Sequence, residues 1–102
     1  MSGTPLTARQ RAHLKSLAHS LKPVQHVGKD GVTDALVGSV EDALQTRELL
    51  KVKVLENAPG AAREVADELA GRVAGMHVVQ VIGRTVVLYR PDPEEPQIRL
   101  PG

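Results

Sequence analysis

The chain has 102 residues, of which 41% are hydrophobic and 25% charged, as is usual for a single globular domain. It contains no cysteine, which excludes disulfide bonds, thiolate metal sites and cysteine nucleophiles. No apolar segment approaches the ~18 residues that cross a membrane, so we expect a soluble cytoplasmic protein that does not bind membranes.

Aromatic residues are nearly absent, since the chain has one tyrosine, Tyr89, and neither phenylalanine nor tryptophan. RNA recognition motifs and most single-strand-binding proteins stack bases on exposed rings, so this composition argues against both classes. Pockets for flat cofactors are usually lined by aromatic groups as well, and we expect neither a cofactor nor a small-molecule substrate.

Charge is distributed unevenly along the chain although the formal net charge is only +1. Residues 1–29 contain five basic groups and no acidic group, whereas residues 30–102 contain eight basic and twelve acidic groups. Such asymmetry favours a polyanionic partner for the first part of the chain.

The first part of the chain predicts a helix and a short strand. Thr7 is expected to cap a helix that runs to about residue 21, with Arg11, Lys15 and Lys22 beside its apolar stripe. Pro23 ends the helix, and residues 24–27 are expected to form a strand. The predicted buried stripe of this helix consists of Leu14, Leu17, Ala18 and Leu21.

The rest of the chain predicts two further helices and three strands. Helices are expected from residue 33 or 34 to 46 and over residues 61–73, with strands over residues 49–55, 77–82 and 85–90. Gly83 and Arg84 predict a type II′ hairpin between the last two strands. Its expected cross-strand pairs are Val81 with Val86, Val79 with Leu88, Val78 with Tyr89, and Gln80 with Val87.

The element order α-β-α-β-α-β-β predicts the α/β class, as an α+β two-layer sandwich with a four-stranded mixed sheet. We expect residues 1–5 to form an N-terminal tail and residues 6–91 a single domain. Residues 92–102, which are rich in proline and acidic groups, are expected to form a C-terminal tail that frays toward its end.

The residues that enzymes use are not arranged for catalysis. No G-x-S-x-G motif is present, and the four histidines lack the i,i+4 spacing that places two imidazoles on one helical face. We therefore expect no catalytic residue and no metal site.

The segment Gly28-Lys29-Asp30-Gly31 is expected to form a tight loop between a strand and a helix. Two interpretations are open. Asp-Gly is a common turn dipeptide, and the segment can be a plain turn. Alternatively, glycines allow the backbone to approach a phosphate, as the G-x-x-G loop of KH modules does between two helices, and Lys29 adds positive charge. A carboxylate would repel phosphate, so Asp30 is expected to turn inward and cap the loop or the next helix.

Further basic residues are expected on one side of the domain. Alternation along the predicted strand over residues 49–55 places Lys51 and Lys53 on one sheet face, and Arg84 lies at the hairpin tip. The first helix, the glycine loop and this part of the sheet can therefore face a polyanion, although scattered lysines can also serve only solubility.

Three stretches together resemble the CRM domain (chloroplast RNA splicing and ribosome maturation), in its stand-alone bacterial, YhbY-like form. They are LTARQRAHLKSLAHSLKPVQHVGKDGVT, ELLKVKVL and VVQVIGRTVVLYRP, and the resemblance extends from about Leu6 to Pro91. It implies a fold similar to the C-terminal domain of bacterial translation initiation factor three. The implied function is RNA binding without catalysis, in bacteria on precursors of the large ribosomal subunit and in chloroplasts on group II introns. The residues implied in RNA binding are Arg11, Lys15, Lys22, Gly28, Lys29, Gly31, Lys51, Lys53 and Arg84.

We therefore expect a monomeric protein that binds large-subunit rRNA precursor, with ribosomal proteins as further partners. The alternative is a protein-interaction module on ribosomal particles without direct RNA contact. An apolar patch on the open sheet face around Val78, Val87 and Tyr89 would favour that alternative. Binding of an anionic metabolite at the loop is a third and less supported interpretation.

Overall fold

The computed structural model describes residues 5–101, and its first element is helix α1, Ala8–Ala18. The Thr7 side chain accepts a hydrogen bond from the backbone N–H of Gln10, whose own side chain accepts from the N–H of Thr7, both at 3.1 Å. This capping box confirms Thr7 as the N-cap. The predicted end at residue 21 is wrong, because the helix stops at Ala18 and Leu21 donates to its carbonyl in a turn ahead of Pro23.

Fewer side chains of the first helical segment are buried than its apolar spacing predicts. Leu14 and Ala18 are buried, whereas Leu17 and Leu21 are 39% and 37% exposed. Leu21 lies beyond the helix end, where the chain turns toward Pro23, and Leu17 lies at the edge of the stripe that Leu14 and Ala18 bury.

The remaining elements follow the predicted order. Helix α2 begins after its N-cap Thr33 and ends at Ala43, three residues earlier than expected, and α3 and the strands agree with expectation to within one or two residues. Their bounds are β1 Pro23–Val27, α2 Asp34–Ala43, β2 Leu49–Val54, α3 Ala62–Arg72, β3 His77–Ile82 and β4 Thr85–Tyr89.

The four strands form one mixed sheet in the order β1-β2-β4-β3. Strand β1 runs parallel to β2, and β4 runs antiparallel to both β2 and β3. The predicted α/β class with a four-stranded mixed sheet is confirmed.

Helices cover both faces of this sheet. Helices α2 and α3 pack on one face around the larger core cluster, which includes Leu50, Val52, Leu69 and Leu88. This is the predicted two-layer arrangement. Helix α1 lies on the opposite face, where Leu14 and Ala18 contact a second cluster and form a third, partial layer. The sheet residues of the second cluster are Leu49, Val79, Val87 and Tyr89.

The hairpin has the predicted turn but only half of the predicted register. Gly83 has a φ of +56° and Arg84 has a negative φ, as a type II′ turn requires. The pairs Val81–Val86 and Gln80–Val87 are present, but an irregularity between Val78 and Gln80 leaves Val79 without a partner. The predicted pairs Val79–Leu88 and Val78–Tyr89 are therefore wrong: Val78 pairs with Leu88, and His77 pairs with Tyr89. Such a bulge places one extra residue in the strand.

The C-terminal segment returns along the face that carries α1. Ile98 and Leu100 pack against the second cluster, and the Pro101 carbonyl accepts a hydrogen bond from the Gln10 side chain at 3.2 Å. The carboxylate of Glu48, immediately before β2, accepts hydrogen bonds from backbone N–H groups of this segment. Residues 92–101 are thus bound to the domain, while residues 1–4 of the expected N-terminal tail lie outside the described residues.

Helix α1 packs on the sheet through few buried side chains, so the loss of one of them should have a large effect on stability. We expect Leu14→Ala to lower the free energy of unfolding by about 2–5 kcal/mol, since the leucine is fully buried. In the matched control Leu17→Ala, the exposed leucine should cost less than about 1 kcal/mol. Urea denaturation followed by circular dichroism measures both, and equal losses would contradict the assigned face of α1.

His77 gives a prediction on pH. Partial burial, and then the positive charge of Arg11, lower the pKa of His77 from its ordinary value of 6.5. The unfolded chain therefore binds a proton more readily than the folded chain, and stability should fall as the pH decreases through 6.5 toward 5. We expect His77→Gln to reduce this loss in urea denaturation at pH 7 and pH 5. An unchanged pH dependence in the variant would exclude His77 as its source.

Candidate nucleic-acid interface

Three loops converge at one end of the sheet. Strands β1 and β2 are parallel, so the loops that follow them lie at the same end, and the β3–β4 hairpin joins them there. The Leu55 N–H donates to the Val27 carbonyl at 2.8 Å, and the Val54 N–H donates to the Arg84 carbonyl at 2.7 Å. We call residues 28–31, 55–61 and 83–84 the loop end of the sheet.

The G-x-x-G segment is a turn at this loop end. The Gly31 N–H donates to the Gly28 carbonyl at 3.0 Å, and Lys29 and Asp30 are exposed at the tip. Gly31 has a φ of +65°, and a Cβ there would lie 3.1 Å from Cγ of Pro59. The segment therefore has the geometry of a tight turn, as both interpretations expected, and Lys29 is exposed to solvent.

Asp30 does not have the expected capping role. The N-cap of α2 is Thr33, whose hydroxyl accepts from the Leu36 N–H at 3.0 Å, and Asp30 is exposed. The carboxylate that follows, Asp34, pairs instead with Arg72 of α3. The expectation failed because a threonine three residues downstream of Asp30 is closer to the helix start.

A row of side chains crosses the sheet next to the loop end. Ile82 pairs with Thr85, Thr85 with Lys53, and Lys53 with His26, so all four strands contribute to one face. This is the face that carries α1, but the second cluster under α1 lies further along the strands. Lys53 and His26 are exposed and Ile82 is 54% exposed. His26 was not among the predicted RNA-binding residues, because only the register of β1 on β2 places it beside Lys53.

The predicted basic residues thus fall into three groups. Lys29, Lys53 and Arg84 lie at or next to the loop end, together with Gly28 and Gly31. Arg84 lies 3.9 Å from Glu56, and both side chains are well exposed, so this ion pair contributes little.

Lys22 and Lys51 form the second group, at the junction of α1 and β1. The Lys51 ammonium donates to the Leu21 carbonyl at 3.0 Å, and Lys51 pairs with Pro23 in the sheet. Lys22 is exposed beside this contact. This group is separated from the loop end by the length of β1.

Arg11 and Lys15 of α1 form the third group. One guanidinium nitrogen of Arg11, Nη1, donates to the carbonyls of Val78 and Val79 at 2.6 and 2.8 Å, so it satisfies the carbonyls of the β3 bulge. Arg11 is half-buried, whereas Lys15 is exposed. Lys15 is therefore the free cation of this pair.

The acidic groups of the helices lie on the other side of the sheet. Helices α2 and α3 pack on the face opposite α1, and their exposed surfaces carry most of the helical carboxylates. The helical carboxylates therefore lie away from the face that carries α1, which favours approach of a polyanion from that face. The α1 face also has acidic groups nearby, since the C-terminal segment that returns along it contains Asp92, Glu94 and Glu95. These exposed helical carboxylates are Asp34, Glu41, Asp42, Glu64, Asp67 and Glu68.

Within residues 5–101, no group of three or more histidine and acidic side chains is arranged to hold a metal ion. None of the helices in this part of the chain is long and apolar enough to cross a membrane.

Substitution of the two glycines of the turn should destabilise the protein to different extents. We expect Gly31→Ala to lower the free energy of unfolding by about 1–2 kcal/mol, because alanine disfavours a positive φ and its Cβ would press on Pro59. Gly28→Ala should cost less than about 0.5 kcal/mol, since its Cβ would make only an ordinary contact at 3.8 Å with Asn57. Urea denaturation measures both, and a larger loss at Gly28 would contradict the described turn.

Comparison with known proteins identifies the family. The model of the CRS1/YhbY (CRM) domain matches residues 6–90. The Bacillus subtilis protein named "Probable RNA-binding protein YqeI" is 43% identical, over 94% of this chain and 99% of that protein. A Haemophilus influenzae protein named "RNA-binding protein" is 42% identical, over 96% of this chain and 97% of its own.

A solved structure agrees with the sequence comparison. The solution structure of a Staphylococcus aureus protein, described as a candidate RNA-binding protein, superposes with a TM-score of 0.79. It is 38% identical and covers 94% of this chain and 99% of its own. The resemblance from Leu6 to Pro91 is confirmed, and the chain belongs to the CRS1/YhbY (CRM) domain family.

Proposed function

We propose that this protein binds structured RNA without catalysing a reaction, and that the loop end of the sheet is the centre of its interface. The observation that carries the proposal is the position of Lys29, Lys53 and Arg84 at the same end of the sheet as an exposed glycine turn. Family membership supports it, because relatives that match nearly the whole chain are named as RNA-binding proteins.

The proposed mode of binding is recognition of phosphates, 2′-hydroxyls and RNA shape. Tyr89, the one residue among Phe, Tyr and Trp in the chain, is 2% exposed and packs under α1. It is thus not accessible for stacking on an unpaired base, which is how sequence-specific RNA modules usually read single strands. Basic side chains beside an exposed turn contact phosphates instead.

The proposed RNA is precursor rRNA of the large ribosomal subunit, bound in the cytoplasm by a monomer, with ribosomal proteins as neighbouring partners. This part of the proposal rests on the resemblance to YhbY-like proteins. The position of the helical carboxylates is compatible with it, since the exposed surfaces of α2 and α3 would face away from the RNA.

The alternative is a protein-interaction module without RNA contact, and the exposed apolar patch that would favour it is not observed around Val78, Val87 and Tyr89. Val87 and Tyr89 are buried in the second cluster, and Val78 packs against the larger one. Helix α1 and the C-terminal segment therefore cover Val87 and Tyr89, and Val78 lies on the opposite face, so the three residues do not form one open apolar patch.

Lys29 provides the test. We expect Lys29→Glu to weaken binding to precursor large-subunit rRNA about tenfold or more, because it replaces a phosphate-contacting cation by an anion. Stability should be unchanged, since Lys29 is exposed at the tip of the turn. The control Arg63→Glu changes the charge equally on the acidic surface of α3, where Arg63 is exposed and weakly paired with Asp67.

Binding is measured by titration at several salt concentrations. In the wild type, each phosphate contact should add roughly 0.7–0.9 to the slope of log affinity against log salt, and Lys29→Glu should reduce that slope. Equal weakening by Arg63→Glu would show a general charge effect and remove the loop end as the interface. Absence of wild-type binding to the rRNA would overturn the proposed RNA.

A further inference from the structure

Glu48 is a buried carboxylate that binds the C-terminal segment. It is 4% exposed and is the one buried polar or charged residue among residues 5–101. Its Oε2 accepts from the Asp92 N–H at 2.6 Å, and its Oε1 accepts from the N–H groups of Gln97 and Ile98, each at 2.7 Å. Three short hydrogen bonds to this one side chain hold the segment in one conformation.

The segment between these contacts is shaped by a second carboxylate. Asp92 accepts from the N–H groups of Glu94 and Glu95 at 2.9 and 3.1 Å, and these bonds lower the pKa of Asp92 below its usual range. The chain therefore turns between its first and second contacts with Glu48. That turn directs Ile98 back onto the sheet.

The bound segment reaches α1. Ile98 and Leu100 pack on the cluster that contains Leu14 and Ala18, the two buried residues of the helix. The Pro101 carbonyl accepts from the Gln10 side chain at 3.2 Å. Because α1 buries only Leu14 and Ala18, contacts from this segment add to the few that hold the helix on the sheet.

We propose that Glu48 is a positioning residue for RNA binding, which acts through residues 92–101 to hold the basic helix α1 on the sheet. Helix α1 carries Lys15, and Lys22 follows it at the junction with β1. Loss of the Glu48 contacts frees the segment, loosens α1 and withdraws these two lysines from the RNA. The inference rests on the proposed RNA-binding function and adds to it a residue remote from the loop end.

The test uses the full-length chain with Glu48→Gln, which keeps the size of the side chain but turns one acceptor atom into an N–H donor. A second variant, Ile98→Ala, removes the packing of the segment without altering the buried carboxylate. The control Glu94→Gln makes the same charge change at an exposed position of the same segment. All are titrated with precursor large-subunit rRNA at several salt concentrations, under conditions where denaturation shows each variant to be folded.

We expect Glu48→Gln and Ile98→Ala to weaken binding about tenfold and to lower the salt slope by roughly 0.7–0.9 for each lost lysine contact. Amide hydrogen exchange should accelerate in α1 and remain slow in α3. Removal of a negative charge alone would instead tighten binding, as we expect to a small extent for Glu94→Gln.

The outcomes separate this inference from the function on which it rests. If the wild type does not bind the RNA, the proposed function fails first. If the wild type binds and Glu48→Gln and Ile98→Ala keep its affinity and salt slope, Glu48 has no positioning role. A lower affinity with an unchanged slope and uniformly faster exchange would show general destabilisation and also overturn the inference.

Discussion

Strand β2 pairs with β1 on one side and with β4 on the other, and its side chains alternate between two environments. Leu50, Val52 and Val54 lie in the core under α2 and α3, whereas Lys51 and Lys53 lie on the opposite face. A shift of one residue in its pairing would place the lysines in the core, so burial of the apolar set also determines where the basic surface lies. One face of β2 thus contributes to the core, and its other face contributes to the candidate RNA interface.

The elements and the fold class were accessible from the sequence because they depend on local signals. Thr7 and Thr33 cap helices, the alternation of β2 marks its two faces, and Gly83 specifies the hairpin turn. The bulge at Val79 is accompanied by a tertiary contact, since Arg11 of α1 donates to the carbonyls of Val78 and Val79. A register extrapolated from the turn could not include it.

The sequence indicated which types of residue form the candidate site, but it indicated less well how these residues are arranged in space. Lys29, Lys53 and Arg84 lie together because two parallel strands and a hairpin end at one edge, which the element order could suggest. The separation of Lys22 and Lys51 from them, and the nearness of His26, follow from register alone. Glu48 gave no sequence signal, because its partners are backbone N–H groups more than 40 residues away.

Both outer strands of the sheet are irregular, and this has a consequence for association between molecules. Strand β1 begins at Pro23 and loses its register before Gln25, and β3 carries the bulge at Val79 whose carbonyls are occupied by Arg11. An open sheet edge with a regular row of N–H and C=O groups is a template for strands of other molecules, and natural sheets block it by proline, bulges and charged groups. Pro23 and the register shift in β1, and the bulge and the Arg11 contact in β3, therefore disfavour pairing of either outer strand with a strand of another molecule.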